Sequence, residues 1–189
     1  MQKSIFLFLY PIEPYFASCL QSFRLEQNCI EKLKEIIDER YRKRDYDIAY
    51  ALFSSPFDIG QPNLNSVPEY FPLEGRILVA GVSFEEHSLL KRYPKPDFIL
   101  DQLPQHSRLI VGGFHQWDCV DKIAERSYQR GVDTFVDEDT TELFFGSVER
   151  MGNVPLVREH WSLKGLGIPE DMHDYVREVR KRKPWFVQN

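Results

Sequence analysis

Apolar and polar positions alternate along this chain in two periods. Ser4–Tyr10 (SIFLFLY) is apolar without a break, the pattern of a strand covered on both faces. Cys29–Tyr41 carries Ile30, Leu33, Ile36, Ile37 and Tyr41 at helical spacing. Further strands are predicted at Tyr46–Phe53, Arg76–Val82, Arg108–Phe114, Asp133–Val136 and Val154–Arg158. Asp118–Gly131 predicts an amphipathic helix, with Asp118 as N-cap, Asp121 in the first turn, Gly131 as the stop, and Val120, Ile123, Ala124 and Tyr128 on one face. A short helix is expected over Thr141–Met151 and a last one over Pro169–Lys183. Ser54–Gly75 reads as a long loop with four prolines, of the kind that lines sites. Glu85–Tyr93 takes no clear assignment, Pro94–Pro104 reads as irregular, and Lys164–Gly167 (KGLG) reads as a turn.

Strands alternating with helices imply parallel pairing. The expected fold is a three-layer α/β/α sandwich, Rossmann-type, with a mainly parallel sheet of five or six strands. Residues 1–189 are expected to form a single domain, with a C-terminal helical extension over about 169–189. In such sheets the ligand site lies at the carboxyl ends of the strands. Tyr10–Glu13, Phe114–Cys119 and Asp137–Asp139 would reach that edge.

Charge and composition narrow the function. The 189 residues are 42% hydrophobic and 14% aromatic and carry a net charge of −5. That balance argues against nucleic-acid binding, and the basic run Arg177–Lys183 reads as a solvated helix face. Three cysteines, Cys19, Cys29 and Cys119, make no CxxC pair and suit a reducing cytoplasm. The five histidines are scattered in sequence, so no metal is expected. No stretch is long enough to span a membrane. The apolar run after Lys3 is broken by Pro11, Glu13 and Pro14, which favours a core strand over a leader.

Cys119 is the residue with the most chemistry. At a helix start a thiol feels the positive end of the helix dipole, which lowers its pKa and favours the nucleophilic thiolate. A buried apolar role is the other reading. His115, four residues earlier, could pair with it as a dyad or be a turn histidine. Trp117 could line an aromatic pocket or simply pack.

The stretch Gly113–Thr141 resembles the signature of the isochorismatase-like cysteine hydrolases. In that family a strand ends in glycine, the catalytic cysteine follows six residues later, and a helix closes in an aromatic, a basic residue and glycine before an acidic strand end. Gly113, Cys119, Val120, Tyr128, Arg130, Gly131, Asp139 and Thr140 hold those places here. Lys91-Arg92-Tyr93-Pro94, followed by Phe98, is similar to the family's lysine segment. The resemblance implies a cofactor-free hydrolase of a small amide or related substrate. Cys119 would attack carbonyl carbon and Lys91 would hold the thiolate. Backbone N–H groups near His115 and Cys119 would form an oxyanion hole, and the Phe114–His115 peptide would be cis. Tyr10, Phe114, His115 and Trp117 would contact substrate. The family's aspartate after the first strand has no counterpart: Tyr10 or Pro11 stands there, and Glu13 is the nearest acid. The family's Asp-x-His-x-x-His metal run is also absent. A second reading therefore stands beside the first: a catalytically degenerate relative that binds a ligand or a partner. A small-molecule ligand, self-association and a cytoplasmic location are expected on either reading.

Overall fold

The computed structural model describes residues 3–151 and 168–186. One sheet of six strands runs through it: β1 (Lys3–Leu9), β2 (Asp47–Ser55), β3 (Asp58–Pro62), β4 (Arg76–Ser83), β5 (His106–Gly113) and β6 (Asp133–Thr141). Five strands are parallel in the order β4-β2-β1-β5-β6, and β3 folds back antiparallel on the end of β2. Helices are α1 (Glu13–Phe23), α2 (Cys29–Arg40), α3 (Phe84–Leu90), α4 (Pro96–Leu100), α5 (Asp121–Gln129), α6 (Leu143–Met151) and α7 (His173–Lys181). The α/β/α sandwich with a mainly parallel sheet is the architecture the periodicity predicts.

The unbroken apolar run of β1 follows from its position. Successive side chains on a strand face opposite ways, and both faces are covered. Ile5, Leu7 and Leu9 pack with Ile99 and Leu100 of α4 and Ile123 and Ala124 of α5. Phe6 and Phe8 pack with Phe16 of α1, Ile30, Leu33, Ile36 and Ile37 of α2, and Phe144 and Phe145 of α6. At roughly 25 cal/mol per Å² of buried apolar surface, these two layers are the main stabilising term.

Several boundaries differ from the sequence expectation. The stretch expected as loop contains β3, an exposed polar strand built by a hairpin off β2. Beyond it, Phe71 is buried against Phe8 and Phe16. Residues 85–90 are helical because Ser83 and Glu86 form a capping box: the Ser83 hydroxyl accepts from Glu86 N–H at 3.1 Å and Glu86 accepts from Ser83 N–H at 3.0 Å. Residues 96–100 form the short α4 in place of irregular chain. β6 continues through the acidic run to Thr141. The expected strand at Val154–Arg158 and turn at Lys164–Gly167 lie outside the described residues.

The C-terminal segment packs on β6. Val136 N–H donates to Trp185 carbonyl at 2.9 Å. Trp185 Nε1 donates to Asp121 at 2.7 Å, and Lys183 pairs with the same carboxylate. Arg180 is buried against Glu138, so the basic run Arg177–Lys183 is only partly a solvated face. No helix among the described residues is long and apolar enough to cross a membrane.

Candidate functional site

Chain geometry brings one group of polar side chains together at the carboxyl edge of the sheet. β1 ends at Leu9, and Tyr10 follows with φ +58°. Its N–H donates to Ala51 carbonyl at 2.8 Å and its ring stacks on Phe53 at 4.3 Å. β5 ends at Gly113, Phe114 N–H donates to Leu9 carbonyl, and His115 turns with φ +64°. Helix then begins three residues earlier than the Asp118 cap predicts, as a π turn over Gln116–Val120 that runs into α5. The His115 carbonyl accepts from Asp118 and Val120 N–H at 3.0 and 3.1 Å. Asp118 lies within that turn and pairs with Lys122 instead of capping. The Phe114–His115 peptide is trans.

Cys119 therefore sits inside the first turns of a helix, 5% exposed, within the apolar layer that holds Leu9, Tyr10 and Val120. Its Sγ lies 3.9 Å from His115 Nδ1, and the Tyr10 hydroxyl is hydrogen-bonded to it. Burial pushes the thiol up to about 12, and the Asp118 carboxylate adds to the rise. Lys122 and the Tyr10 contact oppose it without reversing it. The expected lowering at a helix N-terminus is thus overturned: the cost of desolvating a thiolate exceeds the pull of a partial dipole charge.

The other candidates divide. Lys91 closes α3 in a left-handed conformation, φ +55°, and is exposed. Its ammonium donates to the Ser88 carbonyl one turn back at 2.9 Å. The ammonium whose field reaches the sulfur is that of Lys122. Glu13 starts α1, exposed, and accepts from the Tyr70 hydroxyl at 2.6 Å, away from the thiol. Phe114 faces the opposite core layer, edge-on to Phe8 and Phe16. Trp117 is 43% exposed and stacks on Phe186 at 5.2 Å. It lines a separate cavity of about 190 Å³ with Phe23, Leu143 and Met172. Tyr10, His115 and Cys119 are brought together; Lys91, Glu13, Phe114 and Trp117 are not.

Asp137 and Asp139 are structural partners. Both accept from the buried Arg40 guanidinium, at 3.0 and 2.7 Å, and Tyr41 also donates to Asp137, which ties α2 to β6. Glu138, on the other face, accepts from Gln116 and Arg180. Burial lifts its carboxyl to about 7 against the pull of Arg180.

Three residues join the site that the sequence reading did not place there. Glu142, just past β6, accepts from Gln116 N–H at 2.8 Å and is also hydrogen-bonded by the His115 backbone. The His115 and Gln116 N–H groups, two of the donors near the expected oxyanion site, are thus already turned onto a carboxylate. Tyr15 of α1 lies 4.7 Å from the His115 ring. His87 of α3 is buried, its ring 5.5 Å from His115. The ligand atoms of His87, His115 and Cys119 all lie within 4.8 Å of one another. The Ser83-Glu86 capping box was a readable sign that His87 sits on a helix. Its approach to β5 had no sign in the sequence.

No family model and no curated protein matches the chain. Among solved structures it is similar to N-carbamoylsarcosine amidase from Thermoplasma acidophilum, with 12% identity and a TM-score of 0.45, covering 74% of this chain and 83% of that one. It is also similar to the MAR1 ribonuclease from Caenorhabditis elegans, with 16% identity and a TM-score of 0.45, covering 95% of this chain and 88% of that one. The fold class rests on the chain's own sheet and helices.

Proposed function

We propose that this chain is a non-hydrolytic binding protein that keeps a cysteine at the sheet edge without the charges needed to use it as an amide-cleaving nucleophile. The observation that carries this reading is the surroundings of Cys119. The sulfur is buried beside Tyr10 and His115, while Lys91 is hydrogen-bonded to its own helix and Glu13 to Tyr70. A positioned acid or base is worth about 10²–10⁴ in rate, and the two candidates for that work, Lys91 and Glu13, are both engaged elsewhere. The engagement of the Gln116 N–H by Glu142 removes an oxyanion donor as well. The reading takes residues 1–189 as one domain, the C-terminal segment included.

A second reading keeps a hydrolase, favoured by the 3.9 Å separation of Cys119 Sγ and His115 Nδ1. In it His115 would draw the proton from the thiol. Iodoacetamide labelling of the native chain at neutral pH, read by intact mass and peptide mapping, separates the two. The binding-protein reading expects Cys119 to label far more slowly than in the unfolded chain, with no turnover of small amides or carbamoyl compounds. Rapid, Cys119-specific labelling together with turnover that is lost in Cys119→Ser would overturn it.

A further inference from the structure

We propose that His87, His115 and Cys119 form a binding site for a thiophilic divalent metal ion, zinc in particular. The proposal deepens the reading of this edge as a binding site. The first argument is distance. A tetrahedral zinc with bonds of ~2.3 Å to sulfur and ~2.0–2.1 Å to nitrogen holds those two atoms about 3.6 Å apart. Cys119 Sγ and His115 Nδ1 stand at 3.9 Å, and all three donors lie within 4.8 Å of one another. Small side-chain rotations close the set.

The second argument is how each donor is held. His87 Nδ1 donates to the Arg92 carbonyl at 3.1 Å. A carbonyl can only accept, so this bond fixes the tautomer and leaves Nε2 with the lone pair. Metal-ligating histidines are oriented in this way. The capping box at Ser83 and Glu86 fixes the first turn of the helix that carries His87. His115 is kept in the left-handed region at φ +64°, and Cys119 lies on a π turn. Local strain and π turns concentrate at functional sites. Here they aim two donors of one loop at each other.

The third argument is the surroundings. His87 and Cys119 are buried, and the rings of Phe53, Tyr93 and Tyr15 pack against the two imidazoles at 5.1, 5.2 and 4.7 Å. Such apolar walls lower the local dielectric and strengthen ion–ligand attraction. Two imidazoles and a thiol select zinc, cobalt or copper over magnesium or calcium, which prefer oxygen. In the binding step the metal–sulfur bond forms as the S–H bond breaks, and the proton leaves to water.

The test is titration of the chelator-treated full chain with Zn²⁺ by calorimetry and with Co²⁺ by absorption. One equivalent of Co²⁺ with a thiolate-to-metal charge-transfer band is expected. X-ray absorption of the zinc form should show one sulfur near 2.3 Å and nitrogens near 2.0–2.1 Å, on the usual ~2.3 and ~2.0–2.1 Å bond lengths. Cys119→Ser should lose the charge-transfer band, and both it and His87→Gln should bind at least about tenfold more weakly, on the scale of disrupted metal shells. Circular dichroism confirms that each variant folds, and Cys19→Ser and Cys29→Ser should bind as the parent does. A missing band, or unchanged affinity in folded Cys119→Ser and His87→Gln, overturns the site. Rapid Cys119 labelling of the metal-free chain with turnover would overturn the binding-protein reading instead, while the metal titration keeps its own outcome.

Discussion

Gly113 is the hinge on which the whole edge turns, and alanine there tests the geometry directly. It is the last residue of β5, paired in register with Leu9, with φ +108°. An added Cβ would lie 2.3 Å from both the N and the O of Leu9 and 2.8 Å from its Cα. Those are backbone atoms of the central strand, so no side-chain rotation relieves the contact. The backbone conformation costs on the order of 1–3 kcal/mol for a residue with a Cβ, and the overpacking adds about 1–3 kcal/mol or more. Gly131→Ala supplies the control: φ is +80° there too, but nothing lies within 4 Å of the added carbon. It should cost only the left-handed penalty of about 1–2 kcal/mol. Urea unfolding followed by tryptophan fluorescence and far-ultraviolet circular dichroism measures both variants. Gly113→Ala should be at least about 2 kcal/mol less stable than Gly131→Ala, the overpacking share of the estimate. If the two unfold within about 0.5 kcal/mol, the scatter expected of featureless sites, the close approach of β1 and β5 is not as described.

Two further outcomes are expected. Glu138 has its carboxyl raised to about 7 by burial, so the folded chain holds a proton there that the unfolded chain has released. Stability from this group is full below the ordinary carboxyl range and is lost as pH rises toward and through about 7. The stability of the parent relative to Glu138→Gln should therefore fall over that window in urea titrations at stepped pH, and a flat or rising difference contradicts the assignment. Asp121→Ala removes the acceptor of the buried Trp185 Nε1 and the partner of Lys183. An unsatisfied buried donor costs about 1–3 kcal/mol, so unfolding should shift by that amount with altered tryptophan emission, and Asp121→Asn should retain part of it. An unchanged midpoint in Asp121→Ala would mean that the C-terminal segment is not held through this contact.

Legibility in the sequence followed burial. β1, β5 and α2 were readable because strands covered on both faces are continuous apolar runs and packed helices repeat every three or four residues. β3 was not, because Asp58–Pro62 is exposed and polar and is made a strand only by pairing with Ser54 and Ser55. α3 was missed although Ser83 and Glu86 spell a capping box, since its seven residues bury only His87. At the site, Tyr10, His115 and Cys119 were legible as neighbours because strand ends and a short loop fix them. Lys91 matches the family segment in residue type alone, and a left-handed helix end carries its ammonium to its own turn.

Local patterns of residues were enough for the α/β/α layering, the strand edge that collects polar residues, and a cysteine near a helix start. Those follow from periodicity and turn chemistry, which act over a few residues. The state of that cysteine depends on packing between distant segments. Desolvation depends on what surrounds the sulfur, and the surrounding groups come from Tyr10, His115 and Glu142 on three different strand ends. That packing also placed His87, 32 positions before Cys119, beside the same sulfur. Spatial convergence of distant donors is set by how layers pack, and no local pattern encodes it.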